Sequence, residues 1–432
     1  MKKIKIALLG LGNVGRGVWK IFESNKDEVL KRSGYDVEIT KILVRDKSKP
    51  RGVEVPDELL TTSYSDIIND DEIKIVVELM GGIDPAKGYI LEAIKKGKHI
   101  VTANKMLLAK MGDELFEEAD KHGVKFNYEA SVAGGIPIIS GINESLTANK
   151  IERMYGIVNG TTNYILSKME LEGVDFDDAL KEAQEMGYAE ADPTSDIEGY
   201  DAQYKLAILA SLAFGTKVEV EDVYREGITN ITSQDIEYAK ELGLKIKLLA
   251  TVKEDDKGLD LRVHPTMIPA THPLANVYDA FNAIFIRGNA VGDLMFYGRG
   301  AGDLPTGSAV VSDIISILRS NVDHENDIPV VKNNLWKKEI KDIKDAVCRY
   351  YIRITTIDEP GVLGSITKAF GDNEVSIRSI IQRGKKRTGQ YVTLVLETHH
   401  TTEGSIISAI DDIYEIKEIK KIDNLIRIEE FR

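Results

Sequence analysis

The sequence is poor in cysteine, with only Cys348 among 432 residues. That excludes a disulfide framework within the chain and any cysteine-based metal site, and it suits a reducing compartment. Positive charge is also in deficit. The formal net charge of −14 argues against a general nucleic-acid or anionic-membrane surface. Long apolar runs are missing. The N-terminal MKKIKIALLGLGNVG carries basic residues, but its apolar run stops at Gly10. That is too short for a signal peptide and far too short for a membrane span. Low-complexity segments and tandem repeats do not occur. What remains is the composition of an ordinary soluble globular protein, long enough for roughly two to four domains. The expected location is the cytoplasm.

Ile4 to Leu9 reads as a buried parallel strand. Gly10-Leu-Gly12-Asn13-Val14-Gly15 follows, then a helical pattern through Val18, Ile21 and Phe22. This is GxGxxG with a strand before it and a helix after, the context a dinucleotide site requires. Gly10 permits the tight turn, Gly12 lets the backbone approach a pyrophosphate, and Gly15 lets helix pack on strand. A second strand, Val37 to Val44, ends at Arg45 and Asp46. An acid at that point would bind the ribose hydroxyls of NAD, whereas arginine suits a 2′-phosphate. Arg45 comes first, so NADP is favoured, and Asp46 keeps NAD open.

Further short strands at Ile75–Leu79, His99–Thr102 and Lys125–Tyr128 alternate with helical segments and end in polar or glycine-rich turns. Ligands of open α/β sheets bind outside such strand ends, which points Lys105 into the expected cleft. Beyond them, Met154–Val158 reads as a strand leading through Asn159-Gly-Thr161-Thr-Asn into a helix, with Thr161 as its cap. An acidic loop with Glu190, Asp192 and Asp196 then enters GYDAQYKLAILA. Asp201 and Lys205 lie four apart, so they share one helix face, and that face continues through Ile208 and Leu212 toward the interior. Carboxylates and a lysine beside a nicotinamide suit a small amino-acid substrate, the acids binding ammonium and hydroxyl and the lysine handling a proton. Taken alone, Asp201 and Lys205 also fit an ordinary ion pair contributing ~0.3–0.5 kcal/mol.

Six motifs decide between these readings. TANK at 102–105, EASVAGGIP at 129–137, NGTTNYIL at 159–166, GYAEADP at 187–193, GYDAQYKLAILA at 199–210 and GRGAGDLPTGSAVVSDI at 298–314 closely resemble homoserine dehydrogenase. The resemblance implies reversible oxidation of L-homoserine to L-aspartate 4-semialdehyde with NADP or NAD, on the route to threonine, methionine and isoleucine. It makes Lys205 the acid/base lysine and Asp201 its substrate-binding neighbour. Glu190, Asp196 and Thr161 become substrate-binding residues, and Lys105 lies near substrate and nicotinamide. Gly302 joins the cofactor set, at the start of a helix that returns to complete the nucleotide domain. Gln203 departs from the family pattern, where a small residue is more usual, but lies off the Asp201–Lys205 face. The resemblance also implies a monovalent-cation site, usually for Na+, on the loop holding Glu129, Val132, Gly134 and Ile136, with main-chain carbonyls as ligands. A homodimer or homotetramer is expected.

After a charged stretch, the pattern from Arg349 reads βαββαβ. With its DEPGVLGSI turn it resembles an ACT domain, a small amino-acid-sensing module. The expected effector is L-threonine, with backbone amides at the Asp358–Leu363 turn for its carboxylate and Asn373 with neighbouring acids, across a subunit interface, for its ammonium. The expected fold is therefore α/β. A Rossmann-type nucleotide-binding domain covers 1–133, completed by about 300–320. An α+β catalytic and dimerisation domain covers 134–300, a linker 321–348, and a βαββαβ ACT domain 349–432. The alternative is a catalytically silent amino-acid sensor that binds dinucleotide; the joint presence of Lys105, Glu190, Asp201 and Lys205 argues against it.

Overall fold

The structure is a computed structural model describing residues 2–320, 337–383 and 390–431. It divides into two compact units. The first is drawn from Met1–Glu152, Tyr204–Val223 and Phe281–Lys337, the second from Arg153–Gln203, Tyr224–Ala280 and Lys338–Arg432.

The first unit holds a six-stranded sheet of β1 (Lys3–Leu9), β2 (Asp36–Leu43), β3 (Leu60–Thr61), β4 (Ile73–Glu78), β5 (His99–Thr102) and β6 (Phe126–Asn127). Their spatial order is β3-β2-β1-β4-β5-β6, with all pairings parallel. A parallel sheet must be covered on both faces, and β1 shows how its sequence meets that demand. Ile6 and Leu8 point into one apolar cluster with Val18, Val310 and Ile314. Ala7 and Leu9 point into the other with Ile90, Ile94 and Leu107. The first face is covered by helix Asn13–Ser24 and, from far along the chain, helix Asp303–Arg319. These two cross closely. A Cβ on Gly17 would lie 1.8 Å from the Asp303 carbonyl oxygen, and one on Gly307 2.7 Å from the Gly17 backbone. An antiparallel hairpin, β11 (Phe281–Gly288) and β12 (Gly292–Arg299), belongs to the same unit.

The second unit is built on a mixed sheet. Its strands are β7 (Ile151–Ile157), β9 (Leu244–Asp255), β10 (Gly258–Pro269), β13 (Val347–Ile357), β14 (Ile377–Arg383), β15 (Tyr391–Thr398) and β17 (Ile419–Ile428). The order is β7-β9-β10-β17-β13-β15-β14, with β8 (Tyr224–Arg225) pairing with β10 and β16 (Thr401–Thr402) with β13. Helices Val362–Asp372 and Glu403–Tyr414 complete the expected βαββαβ order. In β13 the period of two is plain. Tyr350, Ile352 and Ile354 enter the apolar core beneath these helices, while Tyr351 and Arg353 face the buried carboxylate of Asp235.

Residues 321–336 of the expected linker lie outside the described residues, and those after them are bonded to β10. Leu259 N–H donates to the Glu339 carbonyl (2.8 Å) and Lys341 N–H to the Leu259 carbonyl (2.9 Å), and β13 begins at Val347. β17 also pairs in parallel with β10 at Thr266–Arg427 and Met267–Ile428, so the C-terminal strands share a sheet with the preceding ones. One expectation needs correction, the cap of helix Gly160–Glu172. It is Asn159, whose Oδ1 accepts from Thr162 N–H (2.8 Å). Thr161 is already inside the helix and its hydroxyl donates to the Tyr188 carbonyl (2.6 Å). Both residue types cap well; the choice falls to the residue that leaves the strand with extended backbone, here Asn159 at φ −125° and ψ 114°.

Candidate functional site

The glycine turn between β1 and helix Asn13–Ser24 has the three properties a pyrophosphate cradle needs. Gly10 adopts φ +110°, and a Cβ there would meet the Leu79 carbonyl oxygen at 2.8 Å. A Cβ on Gly15 would meet the Gly10 carbonyl oxygen at 2.6 Å. Around Gly12, by contrast, a Cβ would meet nothing within 4 Å, so backbone lies open where an anion can approach the helix N-terminus. That helix carries no acid in its first turn, which leaves its N-terminal partial charge for a ligand. Asn13 is exposed beside it, accepting from Arg16 (3.0 Å), and Val14 is half-buried. Gly302, at φ +123°, caps helix Asp303–Arg319, whose Asp303 is ion-paired to Lys20 (2.7 Å).

Arg45 is exposed at the end of β2. Asp46 is turned into its own loop. Its Oδ1 accepts from Ser48 N–H (2.8 Å) and from the Ser48 hydroxyl (2.7 Å), and those bonds hold its carboxyl below the usual range. Arg51 donates to the carbonyls of Lys47 (3.1 Å) and Lys49 (2.6 Å), so the loop after β2 is organised around guanidinium groups.

At the end of β4 is a residue the sequence reading passed over. Glu78 is fully buried, with Oε1 accepting from Met80 N–H (2.7 Å) and Gly81 N–H (3.2 Å) and Oε2 from Thr102 Oγ1 (2.6 Å). It ties the turns after β4 and β5 together. An acid closing the apolar run IKIVVE was the available signal. Lys105 begins helix Lys105–Lys121, half-buried, behind Asn104, which caps that helix through Leu107 N–H (3.2 Å) and donates to the Gly82 carbonyl (2.6 Å).

The loop at 129–136 is tightly constrained. Ala133 and Gly134 are both left-handed, at φ 55° and 51°. The Glu129 carboxylate is committed to Ile139 N–H (2.8 Å) and Ser140 N–H (2.7 Å). Of the main-chain oxygens in this loop, that of Glu129 accepts from Val132 N–H (3.5 Å) and that of Ile136 from Ile138 N–H (2.8 Å). Glu129 N–H in turn donates to Asp313 (2.8 Å), whose carboxyl is pushed well above its ordinary value by burial. Among the described residues no cluster of three or more His, Cys, Asp or Glu side chains could hold a metal ion.

In the second unit, Asn159 joins two of the expected substrate residues. Its Nδ2 donates to Asp196 Oδ1 (2.7 Å) and to Asp201 Oδ2 (2.8 Å). Asp201 is 3 % exposed; helix Tyr200–Phe214 then runs on into residues of the first unit, where Lys205, one turn further along, is 9 % exposed. A solvated surface pair would not be so enclosed. Ile208 is buried on the same face, and Leu212 is half-buried. Glu190 is exposed on the preceding loop, its carbonyl accepting from Gln184 (3.1 Å).

An open parallel sheet with a pyrophosphate turn, accompanied by a helix bearing a buried carboxylate and a buried lysine, defines a nicotinamide-dinucleotide oxidoreductase. Family models narrow the class. The model described as homoserine dehydrogenase, NAD binding domain, matches residues 10–129, the one described as homoserine dehydrogenase matches 137–315, and the ACT domain matches 350–413. A homoserine dehydrogenase of Synechocystis sp. is 45 % identical, with 98 % of this chain and 99 % of its own length covered. The crystal structure of a homoserine dehydrogenase from Thiobacillus denitrificans superposes with a TM-score of 0.93 at 43 % identity, covering 100 % of this chain and 99 % of that one. A hyperthermophilic archaeal homoserine dehydrogenase in complex with NADPH matches at a TM-score of 0.62 and 29 % identity, over 73 % of this chain and 97 % of its own. The chain belongs to the homoserine dehydrogenase family of NAD(P)-dependent oxidoreductases.

Proposed function

We propose that the chain reversibly interconverts L-homoserine and L-aspartate 4-semialdehyde, with Lys205 as the acid/base. The observation that carries this reading is the enclosure of Asp201 and Lys205 on one helix face within a chain of this family. Gly10, Gly12, Asn13, Val14, Gly15 and Gly302, with Lys105, would hold the dinucleotide, which when bound would supply or accept the hydride. In reduction, negative charge develops on the aldehyde oxygen, and the Lys205 ammonium stabilises it and donates a proton from Nζ. In oxidation, neutral Lys205 takes the hydroxyl proton. Asp201, Asp196 and Glu190 bind the polar groups of the amino-acid substrate, with Thr161 holding the Tyr188 end of the same loop.

NADP is the preferred cofactor in this reading. Arg45, exposed at the end of β2, is the residue proposed to meet a 2′-phosphate, and in support of this Asp46 is engaged with Ser48. The archaeal relative's complex with NADPH is in keeping with that preference. The carbonyls at Glu129, Val132, Gly134 and Ile136 are proposed to hold Na+, an ion suited to neutral oxygen donors. The domain limits proposed are 1–133 with 300–320, 134–300 and 349–432. Dimerisation is expected through the hairpin, where Met295 and Tyr297 of β12 are exposed. Among the described residues no helix is long and apolar enough to cross a membrane, in keeping with a cytoplasmic enzyme.

The proposed effector is L-threonine, a product downstream of homoserine. A pocket lined by Thr356, Asp358, Glu359, Val362, Leu363 and Gln382 lies at the start of helix Val362–Asp372. Asn373 is at the opposite end of that helix, donating to Asp412 (2.6 Å), so within one chain Gln382 is the better polar partner. The test of the function is direct: purified protein is given L-homoserine with NAD or NADP, and reduced nicotinamide is followed. Substrate-dependent reduction, faster with NADP, is expected; no turnover with either cofactor would overturn the assignment.

A further inference from the structure

Asn159 uses its side-chain amide completely. The oxygen Oδ1 accepts from Thr162 N–H (2.8 Å) and from the Thr162 hydroxyl (2.9 Å). That identifies which end is oxygen and leaves the nitrogen pointing the other way. There, its two N–H groups go to two different carboxylates, Asp196 at 2.7 Å and Asp201 at 2.8 Å. The side chain is 5 % exposed, so water does not easily substitute for these bonds. Asp196 comes from the turn Thr194–Ile197 and Asp201 from the first turn of helix Tyr200–Phe214. One amide therefore fixes two carboxylates that arrive on separate elements.

The chemistry of the donor matters. Lysine or arginine in this place would cancel one of the negative charges. A neutral amide satisfies one lone pair on each carboxylate and leaves both charges in being. Two carboxylates close together repel each other and favour protonation of one; a shared donor offsets that tendency. A substrate bearing an ammonium group needs both charges at fixed positions.

We propose that Asn159 is a positioning residue for the reaction, setting the Asp196 and Asp201 carboxylates for the amino-acid substrate while preserving their charge. This rests on the homoserine dehydrogenase reading of Asp201. The rival explanation is that Asn159 serves only as the cap of helix Gly160–Glu172. The two roles use different atoms, the cap Oδ1 and the positioning Nδ2, so they can be separated.

Asn159→Asp keeps the oxygen and the shape and caps a helix as well as asparagine does, but it removes both donated protons. Asn159→Ser also retains a good cap and removes the donors without adding charge. N159S is expected to keep the melting temperature and the KM for NADP close to the parent, whereas N159D, which sets a third carboxylate against two others, is expected to lower the melting temperature at neutral pH while keeping the KM for NADP. Both should lose about 10²-fold in kcat/KM for L-homoserine, the scale of a misplaced binding group. The loss in N159D should shrink as pH falls, because a protonated carboxyl regains one O–H donor. N159S should follow the parent's pH profile. The assay includes D201A in parallel. Parent-like kcat/KM for homoserine in N159D or N159S, with D201A inactive, overturns the role of Asn159 and leaves the enzyme assignment standing. A fall in melting temperature and in NADP affinity together with activity in N159S reduces Asn159 to a cap. Activity retained by D201A would instead sink the reading of the carboxylate site on which the inference rests.

Discussion

The two sheets treat charge in opposite ways. In the central strands β1, β4 and β5 of the six-stranded sheet the buried side chains are apolar, and buried polar groups such as Glu78, Thr102 and Asn104 collect at the carboxyl ends. In the second sheet charge runs through the interior. Arg353 reaches Asp235 through Nε (2.9 Å), and Tyr351 (3.0 Å) and Asn424 (2.9 Å) donate to the same carboxylate. Arg427 pairs with Glu403 and, at 2.8 Å, with Glu226. Lys247 is wholly enclosed, donating to the Val277 carbonyl (2.7 Å). Isolated buried charges are costly, and paired ones about break even against apolar packing. What such pairs supply is register. Arg353, Asn424 and Arg427 of the C-terminal module find their partners in Asp235, Glu226 and the Asn230 carbonyl outside it.

The contrast can be tested by removing one charge of each kind. Lys205→Ala removes a buried charge assigned to chemistry. Turnover should fall by about 10²–10⁴ with the fold and NADP binding intact; steady-state kinetics with near-parent turnover would contradict its role. Asp235→Ala removes one assigned to architecture and leaves Arg353 buried without its carboxylate. Urea unfolding should show a loss of about 3–5 kcal/mol, while kcat in the surviving folded enzyme stays near the parent.

Lys247 is expected to give a smaller effect, visible through pH. Burial lowers its pKa from 10.5 to about 8. Between those values the unfolded chain binds the extra proton and the folded chain does not, so stability should rise with pH across that window. Below pH 8 the penalty is fully present. Melting temperatures measured from pH 8 to 10.5 should climb in the parent and lose that component in Lys247→Met. The smallest effect belongs to the ligand end of the first sheet. Arg45→Ala should raise the KM for NADP about tenfold, the loss of one charge-assisted hydrogen bond, and leave that for NAD nearly unchanged. An equal response of the two cofactors would remove Arg45 as the discriminator.

The same contrast explains what the sequence disclosed. The glycine turn is legible because its demands are local. Gly10, Gly12 and Gly15 are required by backbone a few residues away, and spacing alone expresses that. The order of elements in the C-terminal module is legible too, since alternation in Arg349–Ile357 and the helical periods on either side are properties of short windows. Nothing local tells that Arg353 will meet Asp235, 118 positions distant. A charged residue in an alternating strand reads as solvent-facing until its partner is known. Asn159 shows a subtler limit: the motif NGTTN offers asparagine and threonine, both good caps, and only the strand's exit angle selects between them. The linker was read from its charge, but Lys338 and Lys341 spend that charge on Glu254 and Asp255.

Helix Asp303–Arg319 has a consequence for how the protein is made. Lys20 and its partner Asp303 are 283 residues apart. At ribosomal rates of roughly 5–20 residues per second, about 15–60 s pass between the synthesis of one and of the other. Through that interval β1 and the helix after it exist without the cover of Val310, Ile314 and Ile317, and Ile6, Leu8 and Val18 lack that part of their packing. The nucleotide sheet begins first and closes late. A nascent chain stalled anywhere before residue 303 carries the complete glycine turn on a fold whose apolar face is still open, which makes that face a place for chaperones to hold.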